Sequence, residues 1–215
     1  MRSLKIFRVA PLAALIVHCA SGQTTYTVTE FDVPATANIF AAGQSTAFSG
    51  ELPPVIPFAA GSLAAITVGA DGKVTLGGGE PYSGPAGIPF PGGTDLTSFN
   101  GLSGIIALNS AFFLTAVFLD DSAPAGVAPP ILNFTDAESF LTLYPQLFQT
   151  FYVGNGYTFD THKLFFVPAG ATRLFLGIAD GCVLAGSAPG CYNDNVGKFF
   201  AKVTLFPVTK QPSSN

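Results

Sequence analysis

The hydrophobic pattern of this chain is a series of short runs rich in Phe, Val, Ile, Leu and Thr, separated by Gly- and Pro-rich segments. Runs of four to nine apolar and β-branched residues bounded by turn formers are typical of strands in an all-β sandwich or barrel. The pattern predicts strands at Tyr26–Val33, Leu63–Val68, Phe112–Leu119, Phe148–Val153, Lys163–Val167, Arg173–Ile178 and Lys198–Phe206.

The last of these runs alternates most clearly. Lys198, Lys202 and Thr204 share one parity, and apolar residues occupy most of the other. A period of two is the signature of a strand with one face in water and one face on a core. We therefore expect an all-β, jelly-roll-like β-sandwich, with residues 23–215 as a single domain.

Two segments depart from the strand pattern. Thr135 and Glu138 form a capping-box sequence ahead of Phe140, Leu141 and Leu143, which predicts one short helix ending before Pro145. Residues 77–101 are dense in Gly and Pro and are expected to form a long loop. A loop of this length in a compact domain is usually functional or mobile.

The N-terminal residues have the three parts of a secretory signal. Arg2, Lys5 and Arg8 precede an apolar run at residues 9–17, and small residues follow it. Cleavage after Gly22 would leave 193 of the 215 residues, in a secreted, cell-surface or periplasmic protein. The alternative is a lipoprotein signal that uses Cys19, although His18 is not the small residue such a signal requires.

Charge and hydropathy limit the kinds of partner that the protein is expected to bind. Loss of three basic residues with the signal leaves six Lys+Arg against 13 Asp+Glu, a formal net charge of −7. Nucleic acid is therefore not expected as a partner, because its phosphates need a basic surface. Hydrophobic residues make up 48% of the chain, yet the most apolar stretch, residues 104–119, is short and is interrupted by Asn109 and Ser110. We expect no membrane span after signal removal.

Two cysteines remain after processing. Cys182 and Cys191 are nine positions apart, and such a pair in an exported protein is expected to form a disulfide. The alternative is two free thiols in one loop.

The segment from Asp180 to Asn195 contains the greatest concentration of candidate ligands. The loop enclosed by the cysteines is followed by Asn193-Asp194-Asn195. Carboxylates, amides and backbone carbonyls are the hard oxygen ligands that Ca²⁺ prefers. The alternative is an ordinary polar turn, because Asn, Asp and Gly are also turn formers.

The same segment resembles the calcium loop of the bacterial galactophilic lectins, a LecA-like, galactose-binding-like β-sandwich family. In that family a strand ends in Asn-Asp, and a short loop leads to a Thr-Tyr-Gly-Asn-Asn-like run followed by Gly. Residues 174–180 and Cys191-Tyr192-Asn193-Asp194-Asn195 follow this order. More dispersed similarity extends from Phe31 to Phe206 and includes Ala42-Gly43-Gln44 and Gly84-Pro85-Ala86-Gly87.

The resemblance implies calcium as cofactor. Its ligands would be the side chains of Asp180, Asp194 and Asn195 and the backbone carbonyls of Cys191 and Leu76. In the family the ion also coordinates two sugar hydroxyls. The resemblance therefore also implies carbohydrate contacts by Asp180, Asp194 and the Gly181 backbone.

This sequence departs from the family pattern in three ways that affect the expected sugar ligand. The loop between Asp180 and Cys191 is longer than in the family, and Asp194 replaces the usual asparagine. The family's sugar-reading histidine has no counterpart, because no histidine lies between residues 19 and 161. Asp95 and Asn100 are the polar substitutes that the sequence offers there. Calcium is thus better supported than a galactose-like ligand.

The aromatic residues and the candidate catalytic groups provide weaker evidence about function. The chain has no Trp, and Tyr82, Tyr157 and Tyr192 could form a stacking platform or simply pack. His162 is the one histidine of the processed chain. Asp120 and Asp121 are adjacent at a strand end and point in opposite directions, so they make a poor acid–base pair. We expect no enzymatic activity.

Together these observations predict an exported, calcium-dependent, lectin-like carbohydrate-binding module, for which a homo-oligomer is possible. The alternative is a structural or adhesive surface protein in which calcium only stabilises the loop.

Processing and the disulfide can be tested together by intact mass. Secreted protein should begin at Gln23 and should take up no alkylating reagent at Cys182 or Cys191 until it is reduced. A bridge closing about ten residues should contribute somewhat under about 3 kcal/mol of stability. Two thiols that react in the native protein would contradict the bridge, and a lipid on Cys19 would contradict the cleavage site.

Overall fold

The computed structural model describes residues 26–79 and 82–208, and the proposed signal segment lies outside these residues. Within them the chain is built of strands and two 3-10 turns, at Ile39–Ala41 and Tyr192–Asp194. The strands are β1 Thr27–Pro34, β2 Val55–Pro57, β3 Leu63–Thr75, β4 Ile88–Pro89, β5 Thr94–Leu96, β6 Ile105–Ala107, β7 Ser110–Ala111, β8 Leu114–Leu119, β9 Leu132–Asn133, β10 Thr142–Leu143, β11 Phe151–Tyr152, β12 Tyr157–Thr158, β13 Thr161–His162, β14 Leu164–Phe166, β15 Arg173–Ile178, β16 Ala185–Ser187 and β17 Val196–Pro207.

A five-stranded sheet in the order β1-β17-β3-β14-β10 forms one layer of the structure. Strand β17 lies between β1 and β3 and pairs antiparallel with both. The alternation expected for this strand is confirmed: Lys198 and Lys202 are exposed, whereas Phe199 and Val203 are buried.

A four-stranded sheet in the order β11-β8-β15-β2 forms the facing layer. All six residues of β8 are buried, which is typical of a strand covered on both faces. The two layers meet through aromatic side chains: the rings of Phe151 in β11 and Phe165 in β14 are 5.1 Å apart. The all-β class and the β-sandwich architecture predicted from the sequence are confirmed.

The long Gly- and Pro-rich segment is more ordered than expected. It contains β4 and β5, and β5 belongs to a third sheet in the order β16-β5-β6-β9. The Asp95 amide donates to the Leu184 carbonyl at 2.6 Å. This segment is therefore attached directly to the loop that the cysteines enclose.

The predicted helix after Thr135 is wrong. Asp136 has φ of +57°, and no helix is found in this stretch, which ends in the edge strand β10. The Thr135 hydroxyl accepts from the Leu108 amide at 2.9 Å instead of capping its own turn, and Asp136 accepts from Asn109 at 2.7 Å. Tertiary contacts with the 108–109 turn thus override the local capping signal.

No helix among the described residues has the length and apolar character needed to cross a membrane.

The expected strand at Phe148–Val153 is reduced to Phe151–Tyr152, because Phe148 adopts a left-handed φ of +64°. The other expected strands are all present, with β3 extending seven residues beyond its predicted end.

A buried lysine in the sandwich allows the free-energy cost of placing a charge in the core to be measured. Lys163 is 2% exposed, lies 4.7 Å from the Phe140 ring and 4.4 Å from the Tyr152 ring, and donates to the Val153 carbonyl at 3.3 Å. Burial lowers the pKa of its ammonium from 10.5 to about 8, against the opposing effect of Glu138. The folded state therefore binds this proton less tightly than the unfolded chain does.

Because of this lowered pKa, the stability of the native protein should rise between about pH 8 and pH 10.5 relative to a Lys163→Met variant. Urea unfolding at pH 7 and pH 10 should show the difference between the two proteins changing by about 2 kcal/mol in favour of the native chain. At pH 7 the variant should be at least as stable as the native protein. An unchanged difference would show that Lys163 is not charged within the core at pH 7.

Candidate functional site

The site is organised around Tyr192, whose side chain is fully buried. Strand β15 ends at Ile178, and the Tyr192 hydroxyl donates to the Ile178 carbonyl at 2.9 Å while it accepts from the Asp180 amide at 3.0 Å. The preceding residue, Cys191, has φ of +61° and is bonded to Cys182, so the predicted disulfide is confirmed. The phenol and the disulfide together hold both ends of the loop in place.

Asp180 is a buried carboxylate, only 3% exposed. Its Oδ1 accepts from the Gly181 amide at 2.7 Å, and its Oδ2 accepts from the Asn195 side-chain amide at 2.9 Å. Carboxylates are rarely buried so completely without a cationic partner. The position of this group is fixed before any ligand arrives.

Asn195 joins three parts of the sandwich at this point. Its Nδ2 donates both to Asp180 and to the Ala35 carbonyl at 3.0 Å, just beyond β1. Its Oδ1 accepts from the Gly77 amide at 3.3 Å, just beyond β3. The ends of β1, β3 and β15 therefore converge on the residue that precedes β17.

A surface cavity of about 500 Å³ opens beside this carboxylate. It is lined by five of the residues predicted from the sequence, namely Leu76, Asp180, Gly181, Cys191 and Asp194. Asn195 lies next to the cavity, bonded to Asp180. The structure thus brings the whole predicted metal-ligand set together, although its members are up to 119 positions apart in sequence.

The rest of the cavity wall is apolar and includes Phe90, Phe112, Val183 and Leu184. The Phe90 and Phe112 rings are 5.3 Å apart. Sequence reasoning examined this region only for polar groups and missed Phe90. The available signal was an aromatic residue between two prolines in a Gly-rich segment.

The electrostatics of the site are dominated by unbalanced negative charge. None of the described residues lining the cavity is Lys, Arg or His. Burial raises the pKa of the Asp180 carboxyl to about 6, and the nearby Asp194 charge adds to the rise, while the hydrogen bonds from Asn195 and Gly181 oppose it. The ionised form of Asp180 is therefore costly in the absence of a cation.

The two remaining predicted contacts are not part of this cavity. Asp95 lies on β5 opposite Ala185 of β16, beside the disulfide loop but not among the lining residues. Asn100, with φ of +50°, lines a separate depression together with Gln44 and Gly101. Of the two, only Asp95 is attached to the disulfide loop, through the hydrogen bond from its amide to the Leu184 carbonyl.

The donor set fits a hard cation. No group of three or more His, Cys, Asp or Glu side chains suited to a metal occurs in residues 26–79 and 82–208. Two carboxylates and nearby backbone carbonyls remain as oxygen ligands, whereas the Asn195 amide turns its nitrogen to Asp180 and its oxygen to Gly77. Such a set suits Ca²⁺ and does not suit zinc, which prefers nitrogen and sulfur.

The groups considered for catalysis are dispersed. His162 lies on the exposed hairpin β12–β13, where its ring is 4.1 Å from that of Tyr157. Asp120 accepts from Ser122, and Asp121 accepts from Thr172 at 2.7 Å. None of these three side chains lines the cavity beside Asp180.

No family model matches the sequence, and a search of curated proteins finds no match. A solved structure described as the EclA N-terminal domain, a PllA-like lectin, is similar to this chain at 22% identity. The alignment covers 82% of this chain and 94% of the other, with a TM-score of 0.33. Similarity at this level is too weak to assign a ligand, so the resemblance to the galactophilic lectins stays a prediction.

The raised pKa of Asp180 predicts how stability depends on pH when divalent ions are removed by a chelator. Its folded pKa of about 6 exceeds the unfolded value of 3.8, so the folded state binds this proton more tightly. The contribution is fully present below pH 3.8 and is lost as the pH rises through about 6. Asp180→Asn should remove this dependence.

Melting temperatures of both proteins should be compared in chelator between pH 4 and pH 8. Relative to Asp180→Asn, the native protein should lose about 1–2 kcal/mol of stability across this range. Asp121→Asn is the matched control and should follow the native protein. Parallel curves for the native protein and Asp180→Asn would contradict the buried, unbalanced carboxylate.

Proposed function

We propose that the chain is an exported, calcium-dependent carbohydrate-binding module and that the cavity beside Asp180 is its binding site. The observation that carries the proposal is a buried carboxylate beside a second one, Asp194, in a cavity with no described basic side chain on its wall. Ca²⁺ would balance these two charges. Asp180, Asp194 and the carbonyls of Cys191 and Leu76 would hold it, and Asn195 would join them only if its side-chain amide turned its oxygen from Gly77 towards the ion.

The cavity favours ligand binding over a purely structural ion. A structural site surrounds its ion with protein ligands, whereas a binding site leaves room for exogenous ones. The open volume of about 500 Å³ lies directly against Asp180 and Asp194 and is large enough for a monosaccharide. Bound calcium would offer its remaining coordination positions to ligand oxygens there.

A sugar is complementary to both the carboxylates and the apolar wall of this cavity. Vicinal hydroxyls are neutral oxygen ligands, and they can coordinate a cation while donating hydrogen bonds to carboxylates such as Asp180 and Asp194. The apolar wall that includes Phe90 and Leu184 would pack against the C–H surface of the ring. Galactose itself receives no particular support, because Asn100 lies elsewhere.

We further propose that the protein is not an enzyme and acts outside the cytoplasm. The cavity contains neither a nucleophile paired with a base nor a histidine among its described lining residues. The Cys182–Cys191 bond is of the kind that persists in oxidising compartments.

Calcium should raise the melting temperature of the chelator-treated protein, and the same ion should be required on a glycan array. Binding only to the folded state contributes about 2.7 kcal/mol at a hundredfold excess over Kd. Magnesium should contribute less, because it demands a tighter octahedral geometry. Asp180→Asn and Asp194→Ala should lose both the calcium shift and glycan binding, while Asp121→Asn should lose neither.

The outcomes separate the alternatives. A melt unaffected by calcium would exclude the ion and with it the proposed mode of sugar binding. A calcium-dependent melt with no glycan bound would favour the structural or adhesive role. Glycan binding that persists in chelator and in Asp180→Asn would place the carbohydrate site elsewhere on the protein.

A further inference from the structure

The disulfide of the candidate site is accessible to solvent. Cys182 and Cys191 are both exposed, and both line the cavity beside Asp180. A small thiol can therefore approach the bond without unfolding of the sandwich. Exposed disulfides are more easily reduced than buried ones, and regulatory disulfides belong to this class.

Cys191 has a backbone conformation that is unfavourable for its residue type. Its φ of +61° and ψ of +23° lie in the left-handed region, where a residue with a Cβ is disfavoured about tenfold relative to glycine. Cys182 does not have a positive φ. The Cys191 side chain makes no capping hydrogen bond to the 3-10 turn that follows it. The restraint that this side chain supplies is therefore its covalent bond to Cys182.

The residues on either side of Cys191 show what its relaxation would move. The Gly190 amide donates to the Asp180 carbonyl at 3.1 Å, which anchors the chain before Cys191. The peptide after Cys191 contains both the carbonyl proposed as a calcium ligand and the Tyr192 amide, which donates to Ser49 Oγ at 3.0 Å. A change of Cys191 to negative φ would rotate this peptide and turn the carbonyl to a new direction.

We propose that the Cys182–Cys191 bond is a redox switch for the calcium site, which binds its ion tightly only when the bond is formed. The proposal rests on the function proposed above, because it concerns the same ion. A dithiol reductant supplies two electrons and two protons, so that the disulfide becomes two thiols and the reductant becomes a cyclic disulfide. Cys191 then leaves the left-handed region, and its carbonyl is lost from the ligand set.

Such a switch would link binding to the compartment of the protein. In a reducing cytoplasm the thiols persist and the site stays weak, whereas oxidation after export forms the bond and completes the site. The coupling is reciprocal, because an ion that binds the oxidised protein more tightly must also stabilise the disulfide by the same factor.

Calcium titration calorimetry of the native protein, oxidised and reduced with dithiothreitol, tests the switch. Reduction should raise the Kd for calcium about tenfold, which is the preference of a residue with a Cβ against the left-handed region. By reciprocity, saturating calcium should shift the equilibrium with dithiothreitol about tenfold towards the disulfide, equivalent to about 30 mV. Asp194→Ala lacks a proposed ligand, so calcium should not shift this equilibrium in that variant.

Two double variants of identical composition test the role of the Cys191 backbone. Both Cys182→Ala/Cys191→Gly and Cys182→Gly/Cys191→Ala lack the disulfide, but only the first places glycine at the positive φ. The first should bind calcium with a Kd within about threefold of the oxidised native protein, because glycine adopts this conformation without strain. The second should resemble the reduced native protein. In chelator the first should also melt at a higher temperature, since equal composition makes the unfolded chains equivalent.

The outcomes separate this proposal from the proposed function. Equal calcium affinity of the oxidised and reduced native protein would overturn the switch and leave the calcium site intact. Equal affinities of the two double variants, both shown to be folded by circular dichroism, would exclude the Cys191 conformation as its basis. An oxidised native protein that binds no calcium would contradict the proposed function, and the switch with it.

Discussion

The position of β17 between β1 and β3 is the constraint on which the candidate site depends. Because β17 pairs along its length with both β1 and β3, the residue before it is fixed relative to the ends of those two strands. That residue is Asn195, and its side-chain amide forms hydrogen bonds with Ala35, Gly77 and Asp180. A register shift of one residue would turn the β17 side chains to the opposite face and separate these groups.

This arrangement concentrates negative charge where the protein offers no described counter-charge. The carboxylate of Asp180 accepts two hydrogen bonds, yet burial still raises its pKa. An unpaired buried charge is destabilising, so a cation at this site would offset the cost of ionising Asp180. The disulfide and Tyr192 keep the loop in position.

The same sheet presents a second surface with different chemistry. At the strand ends, the buried Asp180 carboxylate and the exposed Asp194 carboxylate line a cavity that we propose holds a cation. On the solvent face, Phe200 and Tyr157 line a separate groove.

The sequence alone was sufficient for the fold class and for most strands, because alternation in β17 and apolar runs such as β15 reflect burial directly. It also predicted the disulfide correctly, and it named Asp180, Asp194 and Asn195 as candidate calcium ligands because they lie in the same short segment. It was wrong about the helix after Thr135, where a capping pattern was used for contacts with the 108–109 turn. A capping pattern indicates a local preference for a helix, but tertiary hydrogen bonds determine whether the helix forms.

Only the tertiary structure brought Leu76 and Gly77 to Asp194, separated Asn100 from the site, and placed Phe90 on the cavity wall. The groove over Gly69 also arises only when β1, β17, β3 and a distant hairpin meet. Residue type and period determine which side chains are buried and which chemistry is available. Which of those side chains share a cavity depends on strand order and register, and these are set by long-range pairing that local sequence does not encode.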